Sequence, residues 1–318
     1  MFRLAAALAL LCLPASASAQ VFSVHNQAAL ARGFALPVLG DAQILPPGAA
    51  QGRVQLDLTN EYYQTSTARE QLTLDGETAR LMLGYRRGWG PGLEAALRVP
   101  LLSQGGGFLD GFIEDWHATF GLPNAGRERA PQDRYRYRYQ RDGVTLLERS
   151  RSESGLGDVE LALGWQLRPG QALRTMLKLP TGDADALRGG ALGGALWLDG
   201  ALPFAAESRL SGTYSLGVAG QERAGALQGL QQTVTGLGGL GLAVRLWPRL
   251  HALAQVYAHT PLYRGSETDL SRLGLQLVFG GRLRLGQTLD LDLAIQEDVV
   301  VNSSPDFSLH LGLAARYR

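Results

Sequence analysis

From residue 53 to the end of the chain, apolar and polar residues alternate in segments of about ten, the length of a membrane-crossing strand in a β-barrel. The pattern is clearest in three consecutive segments, residues 273–285, 289–299 and 307–317. In the middle one the apolar positions alternate with Asp290, Asp292, Gln296 and Asp298. Alternation with a period of two predicts strands that have one apolar face and one polar face.

The same rule predicts nine further strands, near residues 53–63, 77–87, 92–102, 157–168, 171–180, 191–199, 207–218, 232–246 and 250–260. The total of twelve is even, as in closed barrels of the bacterial outer membrane. Tight connections at 87–91, 168–170, 247–249 and 286–288 alternate with longer ones at 64–76, 103–156, 181–190, 219–231, 261–269 and 300–306. We therefore predict an all-β fold, a transmembrane antiparallel up-and-down β-barrel over residues 53–318, with its short turns in the periplasm. A soluble β-sandwich is the competing interpretation, because its half-buried strands also alternate.

The N-terminus has the pattern of a secretory signal peptide. Arg3 is followed by an apolar run from Leu4 to Leu13 and then by the small residues Ala17-Ser18-Ala19, so we predict a signal peptide at residues 1–19. The next segment, residues 20–52, contains three prolines and alternates little. We expect this segment to lie in the periplasm or in the barrel lumen, where it is a candidate plug.

The long extracellular loop at 103–156 contains a predicted amphipathic helix. Its apolar residues recur at steps of three and four. They are Phe108, Leu109, Phe112, Ile113, Trp116 and Phe120, and the polar residues off this stripe are Asp110, Glu114 and His117. Two interpretations stay open: a structural cap on the barrel rim or in the outer-leaflet interface, or a gate that folds into the mouth.

Arginine and tyrosine alternate just beyond this helix. Arg134, Arg136 and Arg138 form one face, and Asp142-Gly143 predicts a hairpin turn. The segment is shorter than the roughly 9–11 residues that a crossing strand needs, so we predict an extracellular hairpin, with a fourteen-stranded barrel as the alternative. We expect the arginines to pair with the acidic residues of the helix. Bidentate binding of lipopolysaccharide phosphates is the other interpretation.

Charged residues of both signs share the inward parity of the strands. The predicted lumen residues are Arg80, Arg98, Lys178, Arg272, Arg282, Asp290, Asp292 and Arg316. Because the acidic segment 289–299 lies between two segments with inward arginines, cross-strand ion pairs should neutralise much of this charge. Both a lumen filled by ion pairs and a narrow channel stay open, because side chains just fill eight strands whereas sixteen or more leave a pore.

Composition argues against several other classes of protein. The chain has 30 Lys+Arg and 29 Asp+Glu, and without Arg3 of the predicted leader these charges balance, which gives no electrostatic basis for nucleic-acid binding. The single cysteine, Cys12, lies in the leader, and no residues have the spacing of a metal or nucleotide site, so we expect no cofactor. None of the five histidines has a serine neighbour in the arrangement of barrel lipases, so we expect no enzyme; a lipid-modifying barrel enzyme is the least favoured class.

Several short motifs occur in order along the chain. They are Gly76-Glu77-Thr78, Gly105-Gly106-Gly107, Phe108-Leu109-Asp110-Gly111-Phe112-Ile113-Glu114, Phe120-Gly121-Leu122-Pro123-Asn124, Arg134-Tyr135-Arg136-Tyr137, Gly155-Leu156-Gly157-Asp158 and Leu177-Lys178-Leu179-Pro180-Thr181-Gly182-Asp183. This order resembles a family of proteobacterial proteins known only as a domain of unknown function, over essentially the whole mature chain. The resemblance implies an outer-membrane barrel and supplies no substrate.

These observations predict an outer-membrane β-barrel of a Gram-negative bacterium that passes or binds a small solute, gated by the 103–156 loop. Its expected partners are outer-membrane lipid and a small-molecule solute. The alternative is a non-conducting structural or adhesion barrel that contacts lipopolysaccharide or another surface component.

Overall fold

The computed structural model describes residues 21–121, 131–205, 207–299 and 305–317, without the side chains of residues 116, 117 and 120. The predicted signal peptide lies outside this range. Within it, the chain forms β1 (Ala50–Ser66), β2 (Glu70–Gly90), β3 (Leu93–Gly105), α1 (Asp110–Phe120), β4 (Arg136–Arg141), β5 (Val144–Arg149), β6 (Glu153–Leu156), β7 (Glu160–Arg168), β8 (Gln171–Lys178), β9 (Gly193–Ala201), β10 (Leu210–Gln221), β11 (Val234–Trp247), β12 (Leu250–His259), β13 (Gly274–Leu285), β14 (Leu289–Asp298) and β15 (Phe307–Tyr317). None of the helices among these residues is long and apolar enough to cross a membrane.

The strands close into a barrel with twelve positions around its wall. Neighbouring strands pair antiparallel, and β15 closes the sheet on β1, from Ala50 opposite Tyr317 to Asn60 opposite Phe307. The extra strands add no wall positions, because β4 continues β3 along the side of β2. In the same way, β5 pairs with β4 while β6 and β7 pair with β3, so these three share one position. The predicted twelve-stranded barrel is confirmed, and the Arg/Tyr hairpin of β4 and β5 makes the wall taller.

One connection differs from the sequence-based expectation. Most of residues 64–76, predicted as a loop, form instead the paired ends of β1 and β2, up to Ser66 opposite Gln71, and only residues 67–69 connect them. Leu72 and Leu74 carry the alternation on through this stretch and are buried in one cluster with Tyr137 of β4. The hairpin thus supplies the apolar partner that lets the two strands extend above the rest of the wall.

The alternation in the sequence is the in–out alternation of the wall. On β14 and β15 the leucines Leu293, Leu311 and Leu313 are exposed on the outer face, whereas Asp292 and Ser308 are buried inside. Large aromatic residues are exposed near the short-turn end, which is the end that carries Ala50 and Tyr317. They are Tyr85, Trp89, Trp165, Trp247 and Tyr317. Such a girdle marks a membrane–water interface.

The height of the wall agrees with a membrane band. On β15, Phe307 lies ten residues from the girdle residue Tyr317. At about 3.4 Å per residue and a tilt of roughly 35–45°, this stretch rises about 25 Å, the height of the apolar band of outer-membrane barrels. The outer leaflet therefore ends near Phe307, at the long-loop end.

Residues 21–49, which we call the lumenal segment, lie inside the barrel. The segment begins in the short-turn half, where Phe22 is fully buried among inward residues of β11 to β14. It turns at Ala28–Phe34 beside the extracellular loops, where Leu30 and Phe34 pack with Leu227 and Leu262. It then returns to the short-turn end, where Gly48 N–H donates to Gly88 O, and β1 begins at Ala50.

Candidate functional site: the occupied lumen

The first limb of the lumenal segment is held by inward side chains of β12 and β13. The amide of Phe22 donates to Gln255 Oε1 at 2.9 Å, and Gln255 Nε2 donates back to Phe22 O at 3.3 Å. Arg282 Nη2 donates to Val21 O at 3.1 Å. The glutamine therefore gives this limb the pair of hydrogen bonds that a neighbouring strand would otherwise provide.

His25 lies further along the same limb and is buried. Burial, with a smaller contribution from nearby Arg80, lowers the pKa of His25 to about 3, so its imidazole is neutral at pH 7. Next to it, Asn26 Nδ2 lies 2.9 Å from Nε2 of His259 on β12. Gln296 Nε2 donates to His25 O at 3.4 Å. The limb thus carries a neutral histidine into a lumen that otherwise holds many charges.

The turn of the lumenal segment packs in the extracellular mouth of the barrel. Its apolar residues form one cluster with the tyrosines of β4 and with residues of three loops. The amide of Ala29 donates to both carboxylate oxygens of Glu61 at 3.0 Å, and Tyr137 donates its hydroxyl hydrogen to Glu61 Oε2 at 3.0 Å. Tyr263 donates to Leu30 O at 2.8 Å. The predicted hairpin therefore contacts the lumenal segment through its tyrosine face.

The second limb returns to the short-turn end and is held there by inward side chains of β12, β9 and β3. Tyr257 donates to Pro37 O at 3.0 Å, Gly40 N–H donates to Asp199 Oδ1 at 3.2 Å, and Leu45 N–H donates to Glu94 Oε2 at 2.9 Å. These partners are side chains of the wall, and no residue of the limb is part of a strand. The limb is therefore bound to the wall without being part of it.

The inward charges of β13, β14, β15 and β1 form ion pairs, most of them between neighbouring strands and one, from β1 to β14, across β15. Arg282 Nε lies 2.5 Å from Asp292 Oδ1, and Arg53 Nη1 lies 2.9 Å from Asp292 Oδ2. Arg316 Nη2 lies 3.1 Å from Asp290 Oδ2. The acidic strand β14 is thus neutralised from both sides, the arrangement that its place between basic segments predicts.

Two more of the predicted lumen residues lie in the interior. Arg98 Nη1 lies 3.1 Å from Glu160 Oε2. Arg80 Nη1 donates to Gln27 Oε1 of the lumenal segment at 2.8 Å and lies 3.5 Å from Asp57 Oδ2. Arg80 therefore links the segment to the wall.

Arg272 does not line the lumen, contrary to the expectation from its parity. It lies in the loop before β13, where its Nε is 2.7 Å from Asp269 Oδ1 and most of its side chain is exposed. The strand begins only at Gly274, so the alternation that includes Arg272 extends beyond the wall.

Asp158 joins two of the sequence motifs in a buried clamp. Its carboxylate contacts Lys178 Nζ and accepts hydrogen bonds from the amides of Gly182 and Gly190 at 2.8 Å each. Gly189 has a φ of +113°, and a Cβ there would lie 2.2 Å from the Asp158 carboxylate. Lys178, predicted as a lumen residue, therefore holds the 181–190 loop against the end of β7.

A cavity of about 130 Å³ lies between the lumenal segment and the wall at the short-turn end. We call it the arginine vestibule. Its charged lining residues are Arg53, Arg86, Arg98, Arg174, Arg282, Arg316, Asp41 and Glu94. Elsewhere in the described part of the chain, no group of three or more His, Cys, Asp or Glu side chains has the arrangement of a metal site.

Helix α1 packs against the outside of the barrel and not in its mouth. Leu109 and Ile113 are buried with Phe307, against Leu58 and Leu309 on the outer face of the wall. The helix is thus at the level where the outer leaflet ends, and it is the cap and not the gate of the two interpretations. An apolar stripe needs an apolar partner, and the outer wall supplies one whereas the polar interior does not.

The polar residues of the predicted gating loop therefore do not line the extracellular opening of the barrel. Asp110 is buried and accepts hydrogen bonds from Asn60 Nδ2 at 2.9 Å and from the Asp133 amide at 2.8 Å. Glu114 accepts a hydrogen bond from Gln132 Nε2 at 3.2 Å. The remaining predicted residues of α1 differ: Phe112 is half exposed, with its ring 6.0 Å from that of Phe307, and the side chains of Trp116 and His117 lie outside the described residues.

The three predicted arginines lie just before β4, in the case of Arg134, and on β4, in the case of Arg136 and Arg138, and they pair with acids other than those of α1. Arg134 Nη2 lies 2.5 Å from Asp75 Oδ2. Arg136 and Arg138 share Glu148 of β5, at 3.5 and 2.8 Å. The expected pairing with the helix is therefore replaced by ion pairs within the sheet, because β4 lies between β2 and β5.

Sequence reasoning missed the residues that hold the lumenal segment, above all Gln255, Asp199 and His25. Their signal is present but weak: Asp199 is a polar residue on the inward parity of a strand whose other inward residues are small or apolar, and Gln255 shares its parity with His251 and His259. Nothing local in the sequence says which backbone group they bind, because the partners are more than 150 positions away.

Comparison with known structures agrees with this architecture. An outer membrane channel from Pseudomonas putida F1 is 14% identical, covers 87% of this chain and 98% of its own, and has a TM-score of 0.55, which shows the fold. The NanC porin (9% identity, 83% and 98% coverage, TM-score 0.42) and the CymD monoaromatic hydrocarbon channel (11%, 95% and 94%, 0.41) are more distant. The fold is therefore that of outer-membrane β-barrels.

At the level of sequence, none of the curated proteins is significantly similar to this chain. A family model matches residues 7–317, which is nearly the whole chain and includes all the motifs described above. The chain therefore belongs to the family described as protein of unknown function, DUF3187.

Proposed function

We propose that the protein is an outer-membrane channel for a small solute, and that the lumenal segment 21–49 is its gate. The observation that carries the proposal is that the barrel interior is occupied by a segment that pairs with no strand of the wall. A closed wall of twelve strands stays intact whether the segment is inside or outside. Export by a signal peptide cleaved before Gln20 is part of the proposal, and N-terminal sequencing of the protein from outer membranes tests it.

The contacts of the segment suit a part that moves. Its limbs are held by apolar contacts, such as those of Phe22, and by hydrogen bonds with wall side chains, each with a net value of about 0.5–1.5 kcal/mol because water replaces it on release. The segment joins β1 through a turn at Pro46–Gly48, where Gly48 has a φ of +81°. The turn is a natural hinge because glycine reaches positive φ without strain.

A disulfide between the second limb and β9 provides a test. A Cβ built on Gly193 lies 2.9 Å from the Cβ of Ala35, so a small outward shift reaches the roughly 3.5–4.5 Å of a disulfide. The only native cysteine, Cys12, lies in the predicted leader. In the double variant Ala35→Cys/Gly193→Cys, oxidation should therefore lock the segment in the lumen, and reduction should release it.

Single-channel conductance in planar bilayers is the measurement. We expect opening events from the wild type and from the reduced double variant, and their loss on oxidation; the two single-cysteine variants should respond to neither treatment. A deletion of residues 21–45 should conduct permanently, with the heat-modifiable migration of a folded barrel as the control. If wild type and deletion variant are both silent, the ion pairs fill the lumen and the non-conducting structural or adhesion barrel is correct.

A further inference from the structure

We infer that the arginine vestibule is a binding site for a small organic anion, and that Asp41 of the lumenal segment occupies the place of that anion in the closed channel. The inference rests on the proposed channel function and names the chemical class of its solute. It concerns the short-turn end of the lumen, where the returning limb meets β1, β2 and β3.

The surface that faces the cavity is cationic although the interior as a whole is nearly balanced. Six arginines but only two carboxylates line the cavity. The other carboxylates lie behind the arginines: the side chain of Asp292 is 1% exposed and that of its partner Arg53 is 18% exposed. In the same way Asp290 is 5% and Arg316 33% exposed. A solute in the cavity therefore meets guanidinium groups first.

Arg86 has hydrogen-bonding capacity to spare. Its nearest carboxylates are Asp41, at 3.8 Å, and Glu94, at 3.9 Å, both beyond hydrogen-bond length. Its Nε is buried and has no hydrogen-bond partner in the described structure. A guanidinium carries five N–H donors in a planar fork that fits two oxygens of a carboxylate or phosphate. Arg86 thus offers the contact that an oxyanion takes best.

Asp41 is the one lining carboxylate that the lumenal segment itself brings to this surface. Its side chain is 35% exposed and faces Arg86. Beside it the second limb is anchored, because Arg174 Nη2 donates to Asp41 O at 2.8 Å and Gly40 donates to Asp199. An anion that takes Arg86 displaces the Asp41 carboxylate and weakens the hold on this limb. Binding of the solute therefore favours release of the gate.

Isothermal titration calorimetry of the folded, detergent-solubilised protein tests the site directly. Sodium benzoate and inorganic phosphate are the oxyanion probes, and choline chloride and glucose are the controls, all at constant ionic strength. We expect benzoate, phosphate or both to bind, and the tighter of the two to identify carboxylate or phosphate as the preferred group. Saturable binding of choline, or no binding of either oxyanion, overturns the inference.

Three single variants separate the site from general charge effects. Arg86→Gln should weaken oxyanion binding at least tenfold, because it removes charge-assisted hydrogen bonds. Asp41→Asn should strengthen it, because it removes the competing carboxylate. The matched control is Arg87→Gln. Arg87 is the next residue but lies on the outer face, where its guanidinium is 5.9 Å from the centre of the Trp89 ring. This substitution should leave binding unchanged. Equal loss in the Arg86 and Arg87 variants would refute the site.

Failure of this inference and failure of the proposed channel give different results. A protein that binds benzoate through Arg86 but never conducts refutes the channel and keeps the site. A protein that conducts and is locked by the Ala35–Gly193 disulfide, yet binds neither oxyanion, keeps the channel and refutes the site.

Discussion

Acidification should release the lumenal segment, and His25 should be the main reason. The pKa of His25 is about 3 in the folded protein, where burial opposes its charge, against 6.5 for an exposed histidine. Below pH 6.5, His25 becomes protonated when the segment is released. It stays neutral while the segment is bound in the lumen, which we call the seated state. The seated state is therefore fully stabilised above pH 6.5 and loses stability as the pH falls from 6.5 towards 3.

The size of the effect follows from these two pKa values. At pH 5, about 1.5 units below the exposed value, the seated state loses about 2 kcal/mol relative to neutral pH. This corresponds to a roughly 30-fold shift in the ratio of seated to released segment. The surrounding charges reinforce the direction, because Arg80 lowers the pKa of His25 more than Asp57 raises it.

Hydrogen exchange of residues 21–49, corrected for the intrinsic pH dependence of amide exchange, measures the release without requiring conductance. Between pH 7.5 and 5 we expect protection of the first limb to fall about 30-fold in the wild type. His25→Gln keeps a polar side chain without a titrating group and should reduce the fall to a small fraction. If the variant and the wild type lose protection equally, other groups, such as His259 against Asn26, control the release and the reasoning about His25 is wrong.

Three further predictions concern the wall and its attachments. Leu311→Arg, on the lipid face, should cost roughly 2–4 kcal/mol near the bilayer midplane and slow refolding into liposomes, whereas Ser308→Ala, facing the interior, should not; equal behaviour would contradict the in–out assignment. Ile113→Ala should cost about 2–5 kcal/mol of packing and detach α1, which limited proteolysis will detect as cleavage within the helix. Conductance should stay unchanged, because the helix lies outside the barrel. Asp158→Asn should destabilise the barrel by about 3–5 kcal/mol, because it leaves buried Lys178 without a counter-ion, and the gel shift should then occur at a lower temperature. Asp183→Asn, which changes an exposed acid of the 181–190 loop, should have little effect.

The number of strands and the face that each residue presents could be predicted from the sequence. A strand in a barrel must satisfy lipid on one side and the interior on the other, so the alternation is a local requirement that every segment carries in its own residues. The ion pair of Asp290 with Arg316 was equally accessible, since neighbouring strands in an up-and-down barrel are neighbours in sequence, whereas the contact of Asp292 with Arg53 was not. For the same reason the pairing of Arg282 with Asp292 needed no knowledge of the distant part of the chain.

The tertiary structure alone decided on which side of the wall the helix packs. Its stripe is equally apolar in either place, so the helix sequence does not discriminate between them. A signal lies elsewhere: Asn60 and Glu77 are polar residues on the outward parity of β1 and β2, and both are buried beneath the start of α1. Polar groups on the lipid-facing side of the wall need another part of the protein to bind them, because lipid offers them no hydrogen bonds.

The path of the lumenal segment was likewise beyond the sequence. The segment has no periodicity, and the hydrogen bonds that hold it to the wall join residues far apart in the chain: Phe22 and Gln255, for example, are 233 positions apart. Sequence patterns report the environment of a residue and its near neighbours, whereas contacts across the lumen exist only once the wall has closed. The alternation along the chain therefore determined the fold. Only the three-dimensional structure determined how the lumenal segment fills the barrel and places Asp41 next to Arg86.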